Sequence, residues 1–218
     1  MVPLLFAGHA LHLLAEGAVW WPARRALLVA DLHLEKASAY ALRGQMLPPY
    51  DSRETLTRLN ALADEYDCAE LWCLGDSYHE ASGTARLCAV SRGLIARIAT
   101  RARLTWIVGN HDPVVVGVGG RVLAAVSVDG IALRHEARAG VDEPEISGHF
   151  HPKLRVVGRG RTVARRCFVH GGAKLVLPAF GSLAGGLDAD HSAIRAAVGR
   201  PAAALVPATG RLLRFELV

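Results

Sequence analysis

Five apolar runs in this chain each end on a short polar motif of aspartate, asparagine and histidine: LLVA-DLH, LWCL-GD, TWIV-GNHD, IALR-H and EIS-GHFH. Runs of three to five residues rich in Leu, Ile, Val and Trp, closed by Gly or Asp, read as buried strands. In open α/β sheets, loops at the carboxyl ends of strands converge on one crevice. A chain with five such tips is therefore held to a sheet-based fold that can bring Asp31, His33, Asp76, Asn110, His135, His149 and His151 to one place.

The segments between the tips complete this picture. Leu11–Leu14 and Ala18–Trp21 make an expected hairpin turned at Glu16-Gly17, followed by the strand ALLVA at 26–30. Helices are expected over Leu34–Leu42 and Ser52–Tyr66. In the second, Leu56, Leu59, Leu62, Ala63 and Tyr66 keep helical spacing, and Asp51 with Glu54 resembles a capping pair. Strand ELWCL, a helix over Thr84–Thr100 and strand LTWIV come next. From Val114 onward short β-like runs alternate with Gly and Pro, and one helix is expected near Ala189–Val198. Strand–helix units followed by a mostly β half predict a layered α/β sandwich. No repeat, low-complexity tract or linker divides the sequence, so one domain over residues 1–218 is expected.

Several function classes drop out. No uninterrupted apolar stretch is long enough for a bilayer-spanning helix, and the run Pro113–Val128 is glycine-broken and carries Arg121. The N-terminal MVPLLFAGHALHLLAEG lacks the basic leader of a signal peptide and contains His9 and His12, so a buried first strand is expected there. Cys68, Cys73, Cys88 and Cys167 form no CxxC pair, and Cys73 and Cys167 sit in apolar runs as small hydrophobes, which fits a reduced cytoplasm. The net charge of +5 and pI of about 9.3 permit a polyanion partner without requiring one. Lysine occurs only at Lys36, Lys153 and Lys174, so the basicity is carried by arginine in an alanine-rich chain and reflects composition as much as function.

Taken singly, the polar motifs are of unequal weight. Asp31-x-His33 can reach one cation from a strand end, or simply cap the strand. Asp76 after Gly75 makes a turn as readily as a ligand. Gly109-Asn110-His111-Asp112 arises by chance in on the order of one such chain in a thousand. His135 is as readily a satisfied core or edge histidine as a ligand. Gly148-His149-Phe150-His151, read as extended chain, points two imidazoles to the same side.

In order, at strand ends, they form the series DxH, GDxx, GNHD, a lone His and GHxH, and on that series the chain resembles the calcineurin-like metallophosphoesterase superfamily. The resemblance implies an αββα sandwich with a dinuclear metal site at strand ends. It assigns Asp31, His33, Asp76 and His151 to one ion and Asp76, Asn110, His135 and His149 to the other, with Asp76 shared. His111 matches the residue that assists the departing group, with His79 and Asp112 supporting from behind. His79 stands where some relatives carry an aspartate that orients the catalytic histidine, and Glu136 where many carry glycine. Oxygen and imidazole donors without thiolate suit Mn, Fe, Zn or Ni, and the family points to two Mn²⁺. Such a pair, roughly 3.5–4 Å apart, makes hydroxide from a bridging water and clamps the phosphoryl oxygens.

Residues outside those motifs narrow the resemblance. WWPARRALLVADLHL at 20–34, RHE at 134–136, ISGHFHP at 146–152, and CFV with LVLPAFGSLAGG within 167–186 are similar to the bacterial ligase-associated DNA damage response endonucleases (PdeM-type), over nearly the whole chain. Glu35 departs from the glycine expected there. This implies a DNA phosphodiesterase or endonuclease in repair, binding DNA without sequence preference and associated in function with a DNA ligase and a helicase. The basic segment Lys153, Arg155, Arg159, Arg161, Arg165 and Arg166 either leads phosphates to the metals or is a solvated hairpin. The same centre would also serve a UDP-sugar-lipid pyrophosphatase or a small-nucleotide phosphodiesterase. A lipid enzyme needs an exposed apolar flap, and the sequence offers no candidate. A non-catalytic scaffold would have lost donors or the histidine of GNHD, all of which are kept.

Overall fold

The computed structural model describes residues 1–114, 119–158 and 160–217. Among them, two seven-stranded sheets and a separate two-stranded ribbon are formed. The first sheet runs β1 (Val2–Phe6), β2 (His9–Leu13), β3 (Val19–Trp21), β4 (Ala26–Val29), β5 (Glu70–Leu74), β6 (Arg103–Ile107) and β7 (Arg121–Leu123), in that order. Its first four strands form an antiparallel meander and β4 to β7 are parallel. The second sheet contains β8 (Val126–Val128), β9 (Ile131–Leu133) and β10 (Glu145–Ser147), then β13 (Phe168–Gly171), β14 (Lys174–Val176), β15 (Ala202–Ala208) and β16 (Arg211–Leu217). Their order is β16-β15-β13-β14-β10-β9-β8, with β10 parallel to both β9 and β14. The ribbon joins β11 (Lys153–Gly158) to β12 (Arg161–Arg166).

Alternation along the strands builds the layers. Leu27, Val29, Leu71, Cys73, Leu104 and Trp106 pack with Leu56, Leu59, Leu62, Ile95 and Ile98 of helices α2 (Asp51–Glu65) and α4 (Ala89–Arg101). Their strand neighbours Leu28, Trp72, Leu74 and Ile107 face the other way, onto Ile131, Ile146, Phe168, Leu175 and Leu205 of the second sheet. Val169, Val176, Ala202 and Ala204 then close against α5 (Ser192–Val198). Period-two strands buried on both faces thus give helices, sheet, sheet, helix. The parallel strands carry their polar motifs at one end, so five tips from two sheets meet.

Local expectations hold unevenly. The 11–21 hairpin forms, with His12 opposite Trp20. The first strand is an edge rather than a buried strand, with Pro3 and Leu5 exposed; Pro cannot donate to a ladder and is tolerated there. Asp51 and Glu54 make no capping pair. The residue preceding α2, Tyr50, provides no side-chain cap, and Asp51 Oδ2 accepts from Ala37 N at 3.1 Å, tying α2 to α1 (Lys36–Ala41). The helix expected over 84–100 is broken into α3 (Gly83–Arg86) and α4, with Leu87 and Cys88 extended between them. Arg92 takes over the freed carbonyls, donating to Thr84 O at 2.7 Å and Leu87 O at 3.1 Å. The last helix starts later than expected, at Ser192, where His191 accepts from Ala193 N. No helix among the described residues is long and apolar enough to cross a membrane.

Candidate metal centre

Each tip delivers its donors through a tight turn. Asp31 (φ 55°), His33 (φ 45°), Asp76 (φ 46°), His149 (φ 73°) and His151 (φ 48°) all occupy the left-handed region, where non-glycine residues are strained and which recurs at functional sites. The extended reading of GHFH is therefore corrected: β10 ends at Ser147, and Phe150 N turns back to Gly148 O at 3.0 Å. The turn still brings His149 and His151 to two adjoining spots, as their assignment to neighbouring ions expects.

Among the described residues the first group is Asp31, His33, Asp76 and His151, the second is Asp76, His135 and His149, and a third, His33, His79 and His111, overlaps the first at His33. In the first, His33 Nε2 lies 3.1 Å from His151 Nε2, which is 3.4 Å from Asp31 Oδ1. In the second, His135 Nε2, His149 Nδ1 and Asn110 Oδ1 form a triangle with sides of 2.9, 3.1 and 3.1 Å. Hydrogen bonds alone serve such a triangle poorly, because two imidazole N–H groups aimed at one amide oxygen also face each other. Donors about 2.0–2.2 Å from one cation sit roughly 2.9–3.5 Å apart along the edges of its coordination shell, so the spacing and chemistry of this set fit divalent ions.

Asp76 joins the groups through one atom. Its Oδ1 accepts from His111 N at 2.9 Å, leaving Oδ2 facing His135 Nε2 at 3.4 Å, His33 Nε2 at 3.9 Å and His111 Nε2 at 4.0 Å. Burial opposes the charge on Asp76, but hydrogen bonding and the charge of His135 outweigh it and hold the carboxyl down at about 2. Burial also works against a charged His135, and Asp76 and Asp31 overcome it, raising that imidazole to about 9. His33, buried and beside His151, falls to about 3 and is neutral, as a ligand must be. Two glycines make the closeness possible. A Cβ on Gly75 (φ +80°) would lie 2.2 Å from His135 Nδ1, and one on Gly109 would lie 2.1 Å from Asp76 Oδ1.

Around the donors the expected supports differ from their sequence roles. Asp112 is buried and holds the GNHD turn by accepting from Gly109 N and Tyr78 N, each at 3.0 Å, while burial lifts its carboxyl to about 6. His79 does not orient His111 through its ring. Its backbone carbonyl accepts from His111 Nδ1 at 2.9 Å, and the two rings stack with centroids 5.4 Å apart. Because a carbonyl only accepts, Nδ1 carries the proton and Nε2 is the atom turned to the site. No residue type could have signalled this, since every residue has a carbonyl. Glu136 stands 3.7 Å from His149 Nε2 and makes that side of the centre acidic. Glu35, in place of glycine, does adopt the left-handed conformation (φ 63°), and its carboxylate accepts from Ser38 and Ser52 hydroxyls at 2.8 Å each.

The basic segment divides. Arg161 and Arg165 are exposed on the ribbon. Arg166 is not a free surface cation, because its guanidinium donates to Gly181 O at 2.6 Å and Phe180 O at 3.4 Å and pins the loop beside Asp31. Arg155 pairs with Asp188 at 3.4 Å. Arg159 lies outside the described residues.

No family model matches the chain, and no curated protein matches it. Among solved structures, the crystal structure of the Pseudomonas putida nuclease MPE is similar to it, with 33% identity over 98% of this chain and 98% of that one, and a TM-score of 0.75.

Proposed function

Since the chain belongs to the same family as the Pseudomonas putida nuclease MPE, we propose that it is a metal-dependent phosphodiesterase that cleaves DNA without sequence preference, in the cytoplasm and in the service of DNA repair. The observation that supports this reading is the convergence of six Asp and His donors in two groups sharing Asp76, with Asn110 Oδ1 beside the second. Asp31, His33, Asp76 and His151 would hold one divalent ion, and Asp76, Asn110, His135 and His149 the other, with Mn²⁺ favoured and Fe, Zn or Ni also suited to the donors. When bound, such a pair supplies a nucleophile at neutral pH and positive charge opposite the phosphoryl oxygens. His111, tethered through Nδ1–H to His79 O, would in its doubly protonated form present Nε2–H to the leaving oxygen and hand over that proton, leaving the neutral ring with its hydrogen on Nδ1. Arg161 and Arg165 draw the phosphate backbone toward the centre.

Chelator-treated protein should lose hydrolysis of bis(p-nitrophenyl) phosphate and nicking of plasmid DNA, and Mn²⁺ should restore both. Full activity in excess EDTA, with metal analysis reading zero, would overturn the proposal. A sugar-lipid pyrophosphatase draws support from one observation the sequence did not reveal, the exposed apolar side chains of Met46, Tyr50 and Val90 lining one cavity.

A further inference from the structure

Residues 180–187 run against two of the tips that carry the donors. Phe180 N and Gly181 N donate to Ala30 O at 2.8 Å and Asp31 O at 3.1 Å, and Leu187 N donates to Phe150 O at 3.3 Å. The approach is close at both ends. A Cβ on Gly181 would lie 2.2 Å from Leu32 O, and one on Gly186 would lie 2.2 Å from His151 O. The loop is therefore fixed beside Asp31, His33 and His151, all members of the first donor group.

Cations converge on the carbonyls of this loop. Lys36 Nζ donates to Leu183 O at 3.2 Å and Lys153 Nζ to Ala184 O at 3.4 Å, while Arg58 and Arg166 both donate to Phe180 O. None of the four makes an ion pair with a carboxylate among the described residues. The remaining lysine, Lys174, does so with Glu145 at 2.9 Å. Glu54 acts on Arg58 and Arg166 only from a distance, and the Glu35 carboxylate is taken by Ser38 and Ser52. Burial lowers the Lys153 ammonium below its ordinary value, and the charges of Arg166, Arg155 and Lys36 lower it further. A carbonyl needs a donor and not a charge, so four cations exceed what holding the loop requires. An anion would offset their mutual repulsion.

Both lysines stand next to the metal centre. The Cβ that meets His151 O from Gly186 would lie 3.0 Å from Lys153 Cε, so the Lys153 stem runs along the His151 backbone. Lys36 Nζ is 5.7 Å from the Tyr40 ring centre, the Tyr40 and His79 ring centroids are 5.5 Å apart, and His79 is 5.8 Å from His33. Both side chains are partly exposed. Each carbonyl occupies one of the three hydrogens of an ammonium, and the others are left for an oxygen anion. Lysine serves phosphate as a point charge with three donors.

We propose that Lys36 and Lys153 form a phosphate subsite beside the metal centre, which binds the phosphate flanking the cleaved one on a nucleic-acid strand. It would make the protein favour diesters that carry a second phosphate. The proposal rests on the phosphodiesterase reading above.

Two pairs of chromogenic diesters test it, because the flanking phosphate can lie on either side of the cleaved one. Thymidine 5′-(p-nitrophenyl phosphate) is compared with its 3′-phosphorylated form, and thymidine 3′-(p-nitrophenyl phosphate) with its 5′-phosphorylated form, all with Mn²⁺. Hydrogen bonds to a charged group are worth roughly a 10- to 100-fold preference. In one pair kcat/KM should therefore favour the second phosphate by that order, through KM, and less so as salt rises. Lys36→Met with Lys153→Met keeps the apolar stems and should bring that ratio near one, with bound metal at the wild-type level. Lys36→Arg with Lys153→Arg should retain the ratio. Each single methionine variant should lower it part of the way, so the test survives a double variant that does not fold. Wild-type ratios near one in both pairs, or a ratio unchanged in the methionine variants, would overturn the subsite while leaving the phosphodiesterase reading intact. A ratio lost equally in the methionine and arginine variants, with Tm lowered in both, would assign the lysines to holding the loop and would also overturn it. No hydrolysis of any of these diesters or of DNA would instead defeat the underlying reading.

Discussion

Replacing Gly75 with alanine should remove one metal ion and leave the fold standing. The new Cβ would lie 2.2 Å from His135 Nδ1 and 2.4 Å from its Cγ. To regain ordinary contact the ring must retreat by a little over ~1 Å, whereas coordination tolerates only about 0.2 Å. His135 Nε2 would then leave the 2.9–3.1 Å triangle with Asn110 and His149, while Asp31, His33 and His151 stay in place. The left-handed backbone at φ +80° adds a strain of roughly 1–2 kcal/mol for any side chain. That is about 2–8 °C in Tm for a chain of this size. Gly8→Ala separates the two effects, since Gly8 has φ +81° and nothing within 4 Å of a new Cβ. Mass-spectrometric metal analysis after Mn²⁺ loading should give close to two ions per chain for wild type and Gly8→Ala, and close to one for Gly75→Ala. A displacement of ~1 Å is worth on the order of 10²-fold in rate, so hydrolysis should fall at least that far in Gly75→Ala alone. Two retained ions with near-normal activity would mean that His135 does not sit where this geometry requires it.

Three further outcomes are expected. His111→Ala should keep its metal yet lose roughly 10²–10⁴-fold in kcat on diesters with poor leaving groups and less on p-nitrophenyl esters; Asp76→Ala should lose metal and activity together on both, as Oδ2 faces both groups. Because His135 holds its proton up to about 9 in the metal-free protein, metal uptake at pH 7 should release a proton. Affinity should accordingly rise with pH by up to about tenfold per unit until pH 9 and flatten above it, read from calorimetry in buffers of different ionisation enthalpy. Arg161→Ala with Arg165→Ala should flatten the salt dependence of DNA binding by up to ~0.7–0.9 log unit per lost phosphate contact. Arg166→Ala should instead lower Tm, because its guanidinium holds Phe180 O and Gly181 O, and an unchanged Tm there would return Arg166 to the DNA-facing set.

Which Asp, Asn and His side chains meet at the strand ends was legible in the sequence. Strands such as ALLV and ELWCL are encoded by local hydrophobic composition, and the polar motif after each is covalently fixed to its tip, so donor types and their placement at strand ends followed without a structure. The exposed apolar surface was not legible: Leu42, Met46 and Tyr50 look like any other apolar residues until the packing of α1 against α2 turns them outward. Nor was the break at Leu87–Cys88, which depends on Arg92 reaching two freed carbonyls. Arg166 resembled its basic neighbours because charge is a property of the residue, whereas its partners Phe180 and Gly181 come from another strand's loop. His79 is the sharpest case, holding His111 by a carbonyl that any residue would have supplied. Residue identity and local periodicity thus determined the elements and the donors. Hydrogen bonds between atoms far apart in sequence, many of them backbone atoms with no side-chain signature, decided which donors share a site and which cations are free to meet a substrate.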